Sequence, residues 1–129
     1  MGKFLYSIAK TFVGGLILHW IFAYFSFIIP GKRLAERDSV LAFHHPSPSY
    51  PLHILIVPKS NLRSLVDLPS DDHLFEVELF SLVNELVKMF NLESKGYRLI
   101  VNGGNAQEVD HLHFHLISDD LGDEVIKDS

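Results

Sequence analysis

Residues 107–117 have the sequence QEVDHLHFHLI, and this stretch decides the fold of the chain. Because the side chains of a β-strand alternate between its two faces, we predict a strand over residues 109–117 that places His111, His113 and His115 on one face. The apolar side chains between them then lie on the opposite face, where they can pack into a core. Three imidazoles that share one face give up ordinary packing, so this face indicates a functional site.

The three histidines allow three kinds of explanation. His111 and His115 would lie about 13 Å apart along a strand, so both cannot easily bind one metal ion while His113 stands between them. A metal site made of two of them and an outside ligand such as His53 stays open, as does a row of solvent-facing histidines. The third explanation is nucleophilic catalysis, since a neutral imidazole nitrogen is a good nucleophile near pH 7. Neighbouring histidines can bind phosphate oxygens and protonate a leaving group.

Upstream of this stretch the sequence predicts one long helix. Apolar residues recur with helical spacing from Phe75 to Phe90, which is typical of an amphipathic helix of about five turns. Ser70 is a suitable N-cap for this helix. Asn91 and Gly96 are residues that commonly end a helix, and they end this pattern.

Short apolar runs on either side of the helix predict the remaining strands, at residues 40–43, 52–57 and 97–101. The glycine-rich turn at residues 102–105 would join the strand at 97–101 to the strand at 109–117 as an antiparallel hairpin, and its backbone N–H groups could stabilise a developing negative charge. Strands, one main helix and further strands predict an α+β fold, in which an antiparallel sheet of about five strands packs on one long helix.

Composition narrows the classes of function. The chain has 129 residues, no cysteine, and 11 Lys+Arg against 16 Asp+Glu, which gives a net charge of −5. The absence of cysteine excludes disulfide scaffolds, cysteine-based zinc sites and thiol catalysis. The negative charge argues against a protein that coats nucleic acid, which would need a basic face. Eight histidines in a chain of this length require an explanation.

The first thirty residues differ from the rest. Residues 11–29 contain no charged side chain and 14 of the 19 are apolar, so a helix over them would span about 28 Å, close to the hydrocarbon thickness of a bilayer. We predict that residues 1–30 are an N-terminal hydrophobic helix that anchors the protein in a membrane by a single pass, and that residues 31–129 form a cytoplasmic domain. The alternative is a helix buried against this domain or against a dimer partner.

The His-x-His-x-His-x-x pattern of residues 111–117 resembles the signature of the histidine triad (HIT) family, in which x is hydrophobic. Further segments resemble the family in the same order along the chain, from a domain start to the strand that approaches the triad. These segments are residues 29–32, 40–43, 53–59 and 97–102, the last followed by Gln107. A match of ordered segments is more specific than one short motif.

The resemblance implies an enzyme: a nucleotide hydrolase or nucleotidyl transferase of the phosphoramidate or dinucleotide type. His113 would attack the α-phosphate of a nucleoside monophosphate conjugate and form a covalent nucleotidyl-histidine. His111 would brace His113, and His53 would complete the histidine cluster. The four implied catalytic residues are His53, His111, His113 and His115. No cofactor and no metal are implied.

The resemblance also implies a substrate site and an assembly. The nucleotide and phosphate groups would be bound by Phe43, His45, Asn102, Gln107 and His115, and the protein would be a homodimer whose two sheets join. Two alternative functions stay open. One is a nucleotide-binding or scaffold module without turnover, and the other is a hydrolase of a lipid-linked nucleotide.

Two positions differ from the family pattern. His45 stands where an acidic residue commonly binds the ribose hydroxyls, and an imidazole lacks the bidentate acceptor of a carboxylate. Glu108 stands where a hydroxyl residue is common. If the strand extended that far, alternation would place Glu108 on the face opposite the three histidines.

Overall fold

The structure, a computed structural model, describes residues 33–120. Within them five strands form one sheet in the order β1-β2-β3-β5-β4, and every neighbouring pair is antiparallel. The strands are β1 Arg33–Glu36, β2 Val40–His44, β3 Leu52–Pro58, β4 Arg98–Val101 and β5 Phe114–Ser118. The predicted antiparallel sheet of about five strands is confirmed. The first of these strands, β1, was not predicted.

One long helix covers one face of the sheet. Helix α1 comprises Leu74–Met89, and a short helix α2, Leu92–Lys95, follows it. Five of the six buried side chains of α1 belong to the predicted apolar pattern, namely Phe75, Leu79, Leu82, Val83 and Leu86, and the sixth is Val87. They form a single core cluster with apolar residues of β2, β3 and β5, so the amphipathic helix and its packing are confirmed.

The start of α1 differs from the prediction. Ser70 is not the N-cap, because the helix begins at Leu74 after His73. The Asp72 carboxylate accepts a hydrogen bond from the Leu74 backbone N–H at 3.1 Å. This hydrogen bond satisfies one of the backbone N–H groups that have no partner in the first turn of a helix. It also favours a non-helical conformation of the residues before Leu74, so the helix does not start earlier. The helix end is as predicted: Asn91 has φ 56°, and Gly96 ends α2 with φ 89°.

Strand β5 is shorter than predicted, because residues 109–113 lie outside it. The backbone N–H of Leu112 donates to the carbonyl of Leu62, in a loop, at 2.8 Å instead of to a neighbouring strand. The predicted antiparallel pairing of β4 with β5 is confirmed. The connection between them is longer than a tight turn and contains a 3₁₀ turn at Gly104–Ala106.

The predicted membrane location is corrected. No helix within residues 33–120 is long and apolar enough to cross a membrane. The hydrophobic helix predicted over residues 1–30 lies outside the described residues.

Candidate active site

A cavity of about 240 Å³ opens where the chain enters β5, on the side of the sheet away from α1. It is lined by side chains from three separate segments: the residue that follows β2, the strand β3, and the stretch from residue 102 into β5. Its polar lining residues are His45, Asn102, Glu108, His113 and His115. The alternation predicted for the histidine stretch holds near the cavity, since Leu112, Phe114 and Leu116 belong to the core while His113 and His115 line the cavity.

The ring of His113 is held by a backbone carbonyl. Its Nδ1 lies 2.7 Å from the carbonyl oxygen of His111. Because a carbonyl oxygen can only accept, Nδ1 must carry the proton and donate it. In the neutral ring the lone pair then belongs to Nε2. The sequence itself, through the two-residue spacing, provides both the nucleophile candidate and the group that fixes its tautomer.

The tautomer of His115 is fixed by a chain of two hydrogen bonds that starts at a backbone amide. The Ser49 N–H donates to Nδ1 of His53 at 3.0 Å, so the proton of this neutral ring is on Nε2. Nε2 of His53 lies 2.9 Å from Nδ1 of His115 and donates to it. His115 therefore carries its own proton on Nε2, as a donor.

Burial keeps the rings of His45 and His115 neutral at pH 7. Desolvation, then repulsion from His53 and His113, lowers the pKa of His45 to about 4. Desolvation, followed by repulsion from His113, His53 and His45, lowers the pKa of His115 to about 4. The hydrogen bonds also disfavour a second proton on His53, because a proton on its Nδ1 would point at the Ser49 N–H.

His45 joins the cluster through its ring and its backbone. The centroid of its ring lies 4.3 Å from that of His53, and its backbone N–H donates to the His53 carbonyl at 2.8 Å. Its Nδ1 accepts a hydrogen bond from the Ser47 N–H at 2.9 Å. The proton of the neutral His45 ring is therefore on Nε2, and this side chain offers a donor instead of a carboxylate's acceptors.

Four predicted site residues do not line the cavity. Phe43 is fully buried, and His111 is 2% exposed with a pKa lowered by burial, against an opposing effect of the Pro58 backbone. Gln107 is buried and donates from Nε2 to the carbonyls of Arg63, at 2.6 Å, and Val109, at 2.9 Å. Gln107 thus holds the loop in front of β5. His53 lies behind the lining, where it contacts His45 and His115.

Glu108 lines the cavity, because the strand alternation that would turn it away from the histidines does not extend to it. β5 begins only at Phe114, so residues 107–113 are not part of the strand and its alternation does not apply to them. Gly104, with φ 58°, begins the 3₁₀ turn that redirects this loop.

The alternative of a metal site finds no cluster to support it. Among residues 33–120 no group of three or more histidine, cysteine or acidic side chains is placed to bind one metal ion. His53 and His115 are bound to each other through the nitrogens that a shared ion would need.

Comparison with known proteins gives a consistent result. The family model of the HIT domain matches residues 27–121. An uncharacterised HIT-like protein of Buchnera aphidicola is 34% identical over 92 residues, which cover 70% of this chain and 82% of that protein.

Solved structures share the fold. A HIT family hydrolase from Clostridium thermocellum has a TM-score of 0.65 and 29% identity, with coverage of 74% of this chain and 84% of that one. A histidine triad nucleotide-binding protein from Candida albicans has a TM-score of 0.63 and 31% identity, with coverage of 79% and 73%.

Proposed function

The chain belongs to the histidine triad (HIT) family, and we propose that it cleaves nucleoside monophosphate conjugates through a covalent nucleotidyl intermediate on His113. The fold is that of the family's nucleotide hydrolases. The nucleotidyl group would pass from His113 to water, or to another acceptor in a transfer reaction. Solved relatives described as a hydrolase and as a nucleotide-binding protein support this class of reaction.

The observation that carries the proposal is the hydrogen bond from His113 Nδ1 to the His111 carbonyl, at 2.7 Å. It leaves the lone pair on Nε2 of a ring that lines the cavity. A histidine nucleophile needs this tautomer, and here no rearrangement is required to reach it. The same carbonyl would stabilise the positive charge that the ring acquires when Nε2 bonds to phosphorus.

The reaction has two steps. In the first, the Nε2 lone pair of His113 forms a bond to the α-phosphorus while the bond to the leaving group breaks, and the leaving group takes a proton from solvent. In the second, water bonds to phosphorus, loses a proton and displaces Nε2, which restores neutral His113. The products are the nucleoside monophosphate and the protonated leaving group.

Neighbouring groups stabilise the charge that develops on the phosphoryl oxygens. The Nε2–H of His115 is a fixed donor whose orientation is set by His53, and such preorganised donors lower the barrier for phosphoryl transfer. Asn102 lines the same cavity and can donate from its amide. Gln107, engaged with two carbonyls, acts as a positioning residue for the loop.

We also propose the homodimer that the resemblance implies. Strand β4 is an edge of the described sheet, and its residues are exposed or half-buried. An unpaired edge can add a strand from a second copy. Sedimentation of the purified chain at two concentrations would measure its mass directly, and a monomer at both would contradict this assembly.

The test is to trap the adduct. Purified protein is mixed with adenosine 5′-phosphoramidate and the reaction is quenched within milliseconds to seconds. The protein is then digested, and the masses of its peptides are measured. We expect an added nucleotidyl group on the peptide that contains His113. The matched control is His73→Ala, an exposed histidine before α1, which should form the adduct at the normal rate.

Two results would contradict the proposal. One is turnover that survives in His113→Ala. The other is nucleotide binding by the wild-type protein with no His113-dependent turnover of any conjugate tested, which would make this a binding module.

A further inference from the structure

Glu108 is a carboxylate in a cavity proposed to receive a phosphate. It lines the cavity together with His113 and His115. Among residues 33–120 its carboxylate takes part in no hydrogen bond and no ion pair. An acidic side chain next to an anion site is unfavourable unless something of positive charge accompanies the anion.

The protein does not supply that positive charge from the lining of the cavity. The other polar lining residues are His45, Asn102, His113 and His115, with no lysine or arginine among them. His45 and His115 are neutral at pH 7, since burial lowers the pKa of each to about 4. The donors available to a phosphate in this cavity are therefore neutral. The carboxylate of Glu108 has no positively charged partner among the lining residues.

Resting on the proposed function, we infer that Glu108 selects substrates by the charge of the leaving group. A conjugate whose leaving group carries an ammonium would place that cation near the carboxylate. A conjugate whose leaving group is itself a phosphate chain would place further negative charge there. Among conjugates with the same scissile bond, the cavity therefore favours a cationic leaving group over an anionic one.

The effect has a defined size and salt dependence. Glu108 is exposed, so its field is screened, and a preference of about 10-fold between opposite charges is expected for such a pair. The preference should shrink as ionic strength rises, because exposed charges are screened over about 10 Å at 0.1 M salt.

The experiment compares two substrates with the same scissile bond. One is the phosphoramidate of AMP with 1,5-diaminopentane, which ends in an ammonium. The other is the phosphoramidate of AMP with 6-aminohexanoate, which ends in a carboxylate. We expect a kcat/KM ratio of about 10 in favour of the ammonium for the wild type, and a ratio near 1 for Glu108→Gln.

The control is Glu93→Gln, which removes the same charge from an exposed position on α2 outside the cavity. It should keep the wild-type ratio. A wild-type ratio near 1, or a ratio that persists in Glu108→Gln, would overturn the inference.

Failure of the proposed function gives a different result. In that case neither compound is cleaved in a His113-dependent way, and the dissociation constants of the same two compounds are measured by calorimetry. A binding preference for the ammonium that Glu108→Gln abolishes would support the charge selection without the catalysis. Equal binding would overturn it.

Discussion

The two sides of the chain around β5 are stabilised by different interactions. On the side toward α1, Leu112 and Leu116 are fully buried in the core, and their contribution depends on the apolar area removed from water. On the other side, His113 and His115 line a cavity and have the proton position on each ring fixed by a hydrogen bond. The apolar side fixes where the strand lies, and the histidine side fixes which nitrogen is a donor and which has a lone pair.

This comparison predicts that the two sides can be damaged independently. His113→Ala removes the proposed nucleophile from the cavity side, and we expect the rate of nucleotide release to fall at least ~10³-fold. Its unfolding free energy, measured by urea denaturation, should stay within about 1 kcal/mol of the wild type, because the ring is only partly buried. A loss of stability that accounts for the lost activity would break the comparison.

The opposite change is Leu116→Ala. Leu116 is fully buried between Ile54 on β3 and Leu99 on β4, so the substitution removes apolar contacts and leaves a cavity in the core. We expect the free energy of unfolding to fall by about 2–5 kcal/mol. At a temperature where the variant is still folded, kcat should remain within a few fold of the wild type. A large loss of kcat in the folded variant would show that the core also sets the geometry of the site.

A smaller effect is expected from the chain that orients His115. His53→Leu removes the donor to His115 Nδ1 and frees the ring to adopt the other tautomer, so we expect kcat to fall about 10–100-fold. His53→Gln keeps an N–H donor near the same place and should recover much of this loss. A purely structural role for His53 would predict equal defects in both variants, and the pH profile of kcat should shift only in the leucine variant.

The smallest effect is on stability against pH. In the folded state the pKa values of His45 and His115 are lowered to about 4, whereas an unfolded histidine titrates near 6.5. Between these values the unfolded state binds more protons, so the unfolding free energy falls as pH decreases from about 6.5 toward 4 and levels off below.

The measurement is urea denaturation at pH 7.5, 6 and 5. The double variant His45→Gln/His115→Gln should show a weaker decrease than the wild type over this window. The matched control is His73→Gln, at an exposed position, which should decrease as the wild type does. An unchanged slope in the double variant would place the acid sensitivity elsewhere in the chain.

Much of the fold could be predicted from the sequence because its signals are local. The apolar repeat from Phe75 to Phe90 predicted α1, and the apolar runs predicted β2, β3 and β4 to within one residue at each end. The alternation of the histidine stretch predicted β5, with a start five residues too early. The start of α1 was predicted too early, since Asp72 competed for the first free N–H. Strand β1 has only one buried side chain, Ala35, so its pattern carries little signal.

The sequence by itself predicted that His113 and His115 share one face and that the apolar residues between them join the core, because two-residue alternation and helical spacing are properties of the local backbone. The tertiary structure alone decided the proton positions on His53 and His115, since these depend on Ser49, His53 and His115 meeting across two strands. It also decided that Glu108 faces the cavity and that Gln107 faces carbonyls. Both lie in a loop whose path is set by long-range contacts, and no sequence period applies there.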